Sequence, residues 1–240
     1  MKIYKDILSA KEKGQKLLAV LIDPEKIELK NLTSFFEKVH QSIATHIFVG
    51  GSTDENNQIE IVISAIKKIT KLPVIIFPGN VNQITNKADG ILFLSLISGR
   101  NPEYLIEQQI KAVPKLLESN LEILPTAYIL IDGGTQTATQ KVSNTKPIPQ
   151  SEIEVIKNTA LAGEFSGKKL IYLEAGSGAK FPVNHKIIKE LAALLSIPLL
   201  IGGGIKSKKQ LDLAYNSGAD LVVIGTAFEH DEDFFKELTK

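Results

Sequence analysis

One short stretch of the chain combines two features that oppose each other electrostatically. Residues 170–173 are apolar and predict a buried β-strand, and residues 176–178, Gly-Ser-Gly, predict a loop with exposed backbone N–H groups. Such a loop is a natural binding site for an anion. Glu174 nevertheless lies two residues before it, and its carboxylate would repel a bound phosphate. The pattern therefore predicts a ligand that offers hydroxyl groups as well as a negative charge.

Glycine-rich sequences follow three consecutive predicted strands in the C-terminal part of the chain. They are Gly176-Ser177-Gly178, Gly202-Gly203-Gly204 and Gly225-Thr226. Glycine lets the backbone approach a ligand closely, and the free N–H groups of the helix starts that follow favour negative charge. One such loop would fit an ordinary tight turn equally well. Three of them on neighbouring strands favour a phosphate-binding site.

The first predicted strand ends at an acidic residue, Asp23, which is followed by Pro24 and Glu25. The Asp23 carboxylate could cap the next helix. It could instead bind Mg²⁺, a hard cation that is typically held by one or two carboxylates together with substrate phosphates. Ser52 follows the second strand and could cap a turn. If the first two strands are neighbours, its hydroxyl would lie beside Asp23.

The elements that must position these residues alternate along the whole chain. Eight short β-rich runs occur, at residues 17–22, 46–50, 74–77, 90–95, 123–131, 170–175, 198–203 and 221–225. Amphipathic helices are predicted between them, at residues 29–40, 58–70, 102–118, 152–162, 185–195 and 208–217. Continuous apolar strands that alternate with helices predict an α/β fold, a TIM-like (β/α)8 barrel. A doubly wound open sheet is the alternative.

Two segments depart from this alternation. The crossover after the third strand, residues 78–90, is too short for a normal helix, so the barrel is expected to be irregular there. Residues 132–150 are polar and rich in Gly and Thr, and they predict a loop or lid, because strands continue beyond them. Since no shift in composition marks a boundary, residues 1–240 are expected to form one barrel domain.

Composition narrows the class of protein. The chain has 240 residues, of which 43% are hydrophobic, and its net charge of +1 gives no reason to expect nucleic acid as a partner. It contains no Cys, which excludes disulfides and thiolate chemistry and fits a reducing cytoplasm. No apolar run reaches the roughly 20 residues of a transmembrane helix, and the N-terminus lacks a signal-peptide core. A soluble cytoplasmic protein is expected.

Common catalytic arrangements are missing from the sequence. His40, His46, His185 and His230 lack the spacing of metal ligands, and all four are predicted at the surface or at helix ends. No Ser/His/Asp arrangement can be assigned. The glycines of residues 202–204 do not belong to a dinucleotide-binding fingerprint.

Seven motifs taken together resemble one known family. They are LIDPEK (21–26), FVGGST (48–53), VIIFPGN (74–80), LFLSLISGRNP (92–102), YLEAGSGA (172–179), IGGGI (201–205) and IGTAFE (224–229). In this order, and over nearly the whole chain, they resemble the geranylgeranylglyceryl phosphate synthase family, including its heptaprenylglyceryl relatives. The resemblance implies a TIM-like barrel that joins a polyprenyl diphosphate, with geranylgeranyl diphosphate favoured, to sn-glycerol 1-phosphate with the help of Mg²⁺. It also implies a homo-oligomer.

The resemblance assigns roles to individual residues. Glu174, which could bind a glycerol hydroxyl and accept its proton, and Asp23 are the candidate catalytic residues. The resemblance implies that Asp23 and Ser52 hold Mg²⁺. It implies a glycerol 1-phosphate site made of Tyr172, Leu173, Glu174, Ala175, Gly176, Ser177, Gly178, Gly203, Gly204, Gly225 and Thr226. A prenyl groove could be lined by Phe77, Pro78, Ile97 and Tyr104, although ordinary packing is an equal alternative for each of them. Tyr104 is predicted in the first turn of a helix, where it could limit the length of the tail.

Other interpretations stay open on the sequence alone. Another phosphate-binding barrel enzyme would share the glycine loops, but it gives no reason for Asp23 and Ser52. A barrel that binds a phosphorylated metabolite without catalysis is a third possibility. Glu174 itself could contact an acceptor hydroxyl, or it could form a structural ion pair with Lys168 or Lys180.

Overall fold

Eight parallel strands form a closed barrel in the computed structural model, which describes residues 2–51, 58–230 and 234–239. The strands follow one another around the barrel in chain order. They are β1 Leu17–Ile22, β2 His46–Val49, β3 Val74–Ile76, β4 Gly90–Leu96, β5 Glu122–Leu130, β6 Leu170–Glu174, β7 Leu199–Gly202 and β8 Leu221–Ile224. Every predicted strand is confirmed to within one residue at either end, and because β8 pairs with β1 the open-sheet alternative is wrong.

Helices surround the barrel. They are α1 Ile3–Glu12, α2 Leu32–Gln41, α3 Ile59–Ile69, α4 Gln108–Leu117, α5 Ala138–Ser143, α6 Ile153–Phe165, α7 His185–Leu194, α8 Lys208–Asn216, α9 Thr226–His230 and α10 Phe234–Glu237. A 3-10 helix, Leu29–Asn31, precedes α2, and a π-helix, Glu103–Glu107, precedes α4. The six predicted helices are confirmed, and α1 and α5 are among the additions to them. None of the helices in the described residues is long and apolar enough to span a membrane.

Helix α1 closes the end of the barrel where the strands begin. Ile3, Ile7 and Ala10 lie on one face of α1 and are buried against the barrel interior. The carboxylate of Glu122, the first residue of β5, accepts hydrogen bonds from the first backbone amides of the chain's N-terminal helix at 2.5 to 2.8 Å. These amides would otherwise lack partners inside the helix. In the described part of the chain, the cavity lies at the opposite end of the barrel, which forms the mouth.

Alternate residues of each strand belong to two different cores. In β6, Tyr172 packs in the barrel interior, whereas Ile171 and Leu173 pack beneath the helices. Glu174 lines the same interior side as Tyr172, because an added Cβ at Gly202 would lie within 2.5 Å of both side chains. The predicted faces of β6 are confirmed.

The prediction of a surface position is wrong for His46. It is the first residue of β2 and is buried, and its burial lowers the pKa of the imidazole to about 4. The strand's position in the barrel therefore overrides the polar character of the side chain. His40 and His185 are exposed at helix ends, as predicted, and the side chain of His230 lies outside the described part of the chain.

The connection between β3 and β4 is irregular, as predicted. Its helical content is a single 3-10 turn, Val81–Gln83. Gln83 is buried, and its side chain joins two loops at the mouth: its oxygen accepts from the Gly79 amide at 2.6 Å and its nitrogen donates to the Gly51 carbonyl at 3.1 Å. Because a full helix is absent here, space remains outside β4, between the 3-10 turn and α4.

A substitution of Gly50 tests how closely β2 and β3 approach each other at the mouth. An added Cβ there would lie 1.8 Å from the Phe77 carbonyl oxygen, so Gly50→Ala must push β2 away from the end of β3. We expect the free energy of unfolding to fall by roughly 3 kcal/mol or more, measured by urea denaturation. Gly14→Ala is the control: its φ of +67° is unfavourable, but its Cβ would have no neighbour within 4 Å. This control should lose about 1 kcal/mol, and equal losses would contradict the close approach.

Candidate active site

The open mouth of the barrel contains a cavity of about 700 Å³. One part of its wall comes from the glycine loops after β6, β7 and β8. A second part comes from the ends of β1 and β2, around Asp23 and Gly51, and a third is an apolar arm outside β4 that reaches Ala112 of α4. Active sites of such barrels lie at this end of the strands. The sequence features that predict chemistry therefore meet in one cavity.

The glycine loops present backbone amides that have no protein partner. Four of their glycines have φ between +70° and +103°: Gly176, Gly178, Gly203 and Gly204. Five amides donate no hydrogen bond to another described residue: those of Ser177, Gly178, Gly203, Gly204 and Gly225. The hydroxyls of Ser177 and Thr226 lie 2.9 Å apart and join the loops after β6 and β8. Several free amides in one concave surface fit the predicted anion site.

Gly176 departs from its predicted role. Its amide donates to Glu174 Oε1 at 2.7 Å, so this N–H group is not available to an anion. Gly203 packs directly against the same pair, because an added Cβ there would lie 2.5 Å from both Glu174 Oε1 and the Gly176 nitrogen. A side chain at position 203 would therefore displace the carboxylate before it could obstruct a ligand.

Glu174 is a buried acid without a counter-charge. Only 7% of it is exposed, and it forms no ion pair with a lysine or arginine in the described ranges. Burial raises the pKa of its carboxyl to about 7, and the Gly176 amide and the nearby Tyr172 hydroxyl oppose that rise. The predicted alternative of an ion pair with Lys168 or Lys180 is wrong.

Two tyrosines lie beneath this acid. Burial, followed by the neighbouring Glu174 charge, raises the pKa of Tyr128 and Tyr172 well above the ordinary value. The Tyr172 hydroxyl is fully buried beside the carboxylate and makes no hydrogen bond of normal geometry within the described structure. A buried hydroxyl without a partner is costly, so this end of the cavity is suited to a polar ligand.

Leu173 and Ala175 are corrections to the implied phosphate site. Both side chains are fully buried in the core beneath the helices, on the outer side of the barrel. Their backbones are also engaged: Leu173 pairs with the two neighbouring strands, and the Ala175 amide donates to the Gly202 carbonyl at 2.9 Å. Alternation at the end of β6 turns these two residues away from the cavity, on either side of Glu174.

Asp23 lines the cavity at the end of β1. Its Oδ1 accepts from the Glu25 amide at 3.1 Å and closes a turn, and its Oδ2 pairs with Lys26 Nζ at 3.2 Å. An added Cβ at Gly51 would lie 3.1 Å from Oδ1, so the end of β2 does approach Asp23. Ser52, the other implied Mg²⁺ ligand, lies outside the described residues. Asp23 thus closes a turn and does not cap the next helix, which begins at Leu29, so the helix-cap interpretation is wrong; its carboxylate still lines the cavity.

The structure describes no group of three or more His, Cys, Asp or Glu side chains that could hold a metal ion. A Mg²⁺ ion that relies on substrate phosphates needs only one or two protein carboxylates. Asp23 is an oxygen donor of this kind, and its side chain is 23% exposed on the cavity wall. The residues present therefore fit a Mg²⁺ site of that type.

The apolar arm is wider than predicted. Of the predicted groove residues, Phe77, Pro78 and Tyr104 line the cavity, and Phe77 and Tyr104 pack against the barrel interior. The Asn101 side chain accepts from the Glu103 amide at 3.1 Å, which confirms that Tyr104 lies in the first helical turn. The arm outside β4 is lined by Val81, Ile84, Ile91, Phe93 and Ala112. Ile97 is a correction: it packs beneath α6, where an added Cβ at Gly163 would lie 3.0 Å from its Cδ1.

Residues 132–150 cover part of the cavity, as the prediction of a loop or lid implies. Thr137, Thr139 and Val142 line it, and an added Cβ at Gly176 would lie 2.0 Å from Thr137 Cγ2. These contacts do not follow from the family motifs. The start of α5 does have a sequence signal, because Thr137 and Gln140 form a capping box, T-x-x-Q.

The buried carboxyl predicts that stability depends on pH. The folded pKa of Glu174, about 7, is above the ordinary value of 4.5, so the folded protein binds this proton more tightly than the unfolded chain. Proton binding therefore stabilises the fold fully below pH 4.5, and this stabilisation is lost as pH rises through 7. Between these limits we expect Glu174→Gln to gain up to about 3 kcal/mol relative to the natural protein. Urea denaturation at pH 5 and pH 8 measures this change. A difference between the two proteins that does not vary with pH would contradict the buried acid.

Known proteins resemble this chain over nearly its full length. The model of the PcrB family matches residues 10–240. The geranylgeranylglyceryl phosphate synthase of Zunongwangia profunda is 62% identical over 231 residues, which cover 96% of this chain and 98% of the relative. The protein of the same name from Flavobacterium johnsoniae is 54% identical over 233 residues, which cover 97% and 96%.

A solved structure has the same architecture. It is the crystal structure of (S)-3-O-geranylgeranylglyceryl phosphate synthase from Thermoplasma acidophilum in complex with its substrate sn-glycerol-1-phosphate. The TM-score is 0.92 at 33% sequence identity, and the match covers 99% of this chain and 96% of that one. On the family match, the fold and these relatives, the chain belongs to the PcrB family, together with the geranylgeranylglyceryl phosphate synthases.

Proposed function

We propose that the protein is a prenyltransferase that joins a polyprenyl diphosphate to a hydroxyl of sn-glycerol 1-phosphate and releases diphosphate. One observation carries the proposal: a single cavity combines free loop amides, a buried carboxylate and an apolar arm. The names of the relatives support these substrates and favour geranylgeranyl diphosphate as the donor. Three further points stay predictions: a limit on tail length at Tyr104, from its position in the sequence, a cytoplasmic location, from composition, and a homo-oligomer, from the family resemblance.

Glycerol 1-phosphate can bind both the glycine loops and Glu174, because it carries a phosphate at one end and hydroxyls at the other. Its phosphate would accept hydrogen bonds from the free amides of Gly203, Gly204 and Gly225. Its hydroxyl would donate to Glu174, and hydrogen bonds to a charged acceptor are stronger than neutral ones. Because the carboxylate contacts the hydroxyl end, its repulsion of the phosphate is tolerated. Such a pose would fix the acceptor at both ends and lower the entropic cost of its meeting with the donor.

Glu174 is also suited to accept the proton of the attacking hydroxyl. The hydroxyl oxygen forms a bond to carbon 1 of the donor, the bond from that carbon to diphosphate breaks, and diphosphate leaves with the electron pair. The hydroxyl proton then passes to the Glu174 carboxylate. A general base works best when its pKa is near the operating pH, and the pKa of Glu174 is about 7.

Asp23 is the group that we propose to hold Mg²⁺ at the diphosphate end, with Ser52 as an additional oxygen ligand. The position of the carboxylate on the cavity wall beside Gly51 supports this role. When bound, Mg²⁺ supplies positive charge to the leaving diphosphate. Lys26, which pairs with Asp23 at 3.2 Å, adds a second positive charge at the same end.

Glu174→Gln tests the proposed base. Gln accepts a hydrogen bond but is a very poor base, so kcat should fall by at least about 100-fold while the fold is retained. The assay combines the protein with glycerol 1-phosphate, Mg²⁺ and a radiolabelled prenyl diphosphate, and measures lipid-extractable ether. Glu118→Gln, which changes an exposed residue outside the cavity, is the matched control.

Each outcome of this assay has a definite meaning. A Gln variant with near-native kcat would leave Glu174 with an orienting role only. If the natural protein forms no ether, the proposed activity is wrong. Binding of glycerol 1-phosphate without any ether would then favour the non-catalytic barrel.

Asp23→Asn separates the metal ligand from the turn cap. Asn caps a turn about as well as Asp, so the free energy of unfolding should change little. Loss of one charge from the ligand set should raise the Mg²⁺ concentration needed for half-maximal ether formation by about tenfold or more, and lower kcat. Mg²⁺ titrations of both proteins measure this shift. A common midpoint would show that Asp23 acts only in the turn.

A further inference from the structure

Three aromatic rings form the floor of the cavity. The Phe77 ring stacks on the Tyr172 ring, with centroids 5.5 Å apart and planes at 28°. Tyr128 meets Phe77 and Tyr172 edge-on, at centroid distances of 5.9 and 5.4 Å. Tyr128 and Tyr172 are buried, whereas Phe77 is half-buried and lines the cavity. All three rings line the cavity, and Phe77 is the most exposed of them.

On one side, Phe77 adjoins the diphosphate end of the proposed site. An added Cβ at Gly50 would lie 1.8 Å from the Phe77 carbonyl oxygen, and one at Gly51 would lie 3.1 Å from Asp23 Oδ1. Gly50 and Gly51, which follow β2, therefore lie between the end of β3 and Asp23. The leaving group of the donor would lie on this side of Phe77.

On the other side, Phe77 adjoins the base. Its ring stacks on Tyr172, and an added Cβ at Gly202 would lie 2.4 Å from the Tyr172 hydroxyl and 2.5 Å from Glu174 Oε2. The carbon that loses diphosphate and gains the glycerol oxygen must lie between the two ends of the site. Phe77 lies between these two ends, Asp23 and Glu174.

We propose that Phe77 is a catalytic residue whose ring stabilises the positive charge that develops on the donor's allylic carbons. The role rests on the proposed function. As the bond from carbon 1 to diphosphate breaks, diphosphate keeps the electron pair and the allylic group becomes cationic. The glycerol oxygen then bonds to carbon 1 and its proton passes to Glu174, so atoms and charge balance.

Among the residues of this cavity wall, an aromatic ring is the group best suited to stabilise a cation. Apolar side chains line the cavity around Phe77, including Leu21, Leu92 and Leu96, and they cannot solvate a cation. An aromatic face attracts a cation through its quadrupole, and the attraction strengthens when water is excluded. Tyr172 and Tyr128 are positioning residues in this arrangement, because they hold the Phe77 ring from its other face and its edge.

Fluorination of the ring tests this role without changing its shape. Mono-, di- and trifluorophenylalanine at position 77 weaken the quadrupole stepwise. We expect kcat for ether formation to fall with each step, by about 10- to 100-fold across the series, with little change in the KM of the donor. The same series at Phe36, which is buried beneath the helices and contacts Phe35 edge-on, controls for general effects of fluorine and should show no trend.

Phe77→Leu is a second variant that keeps apolar volume but removes the π-face. Its kcat should fall at least as far as that of the trifluorinated protein. A flat series at position 77 in an active protein would overturn the inference and leave the proposed function intact, and so would an equal trend at Phe36. A natural protein that forms no ether would overturn the proposed function, and the role of Phe77 with it.

Discussion

The burial of an acid without a counter-charge is the constraint on which the site depends. Glu174 is 7% exposed, accepts one backbone hydrogen bond, from Gly176, and has no ion-pair partner among the described residues. An isolated buried charge would cost several kcal/mol, so burial raises the pKa of the carboxyl to about 7, and both its neutral and its charged forms are present near neutral pH. A ligand hydroxyl would supply the hydrogen bond that the protein leaves unmade. The protein thus retains an unfavourable group in the place where an acceptor can satisfy it.

The surrounding architecture holds this group in place. Because α1 closes one end of the barrel, the cavity of the described residues lies at the other end, where β6 ends. Gly203 leaves no room for a side chain beside the carboxylate, and Thr137 packs against Gly176 from the segment above. The buried rings of Tyr128 and Tyr172 pack under Glu174, and such apolar surroundings disfavour the charged form of the acid. The packing of these loops therefore determines the position of the acid, its raised pKa and the free amides beside it.

Elements that depend on local pattern could be predicted from the sequence, whereas contacts that depend on three-dimensional packing could not. The strands follow from short apolar runs, and the shared face of Tyr172 and Glu174 follows from alternation. The same alternation excludes Leu173 and Ala175, which the family motif includes only because it is contiguous in sequence. The bond from the Gly176 amide to Glu174 depends on loop geometry that composition does not encode. His46 is buried because the barrel register decides its environment, and its residue type does not.

Direct titration of the Glu174 carboxyl is the measurement closest to the central claim. Infrared difference spectroscopy, with Glu174→Gln for assignment, distinguishes the C=O stretch of a protonated carboxyl from the bands of a carboxylate. A protonated signal that titrates near pH 7 and shifts when glycerol 1-phosphate is added is the predicted result. A signal that remains that of a carboxylate down to pH 5, or one that does not respond to the acceptor, would contradict a buried acid that meets the acceptor's hydroxyl.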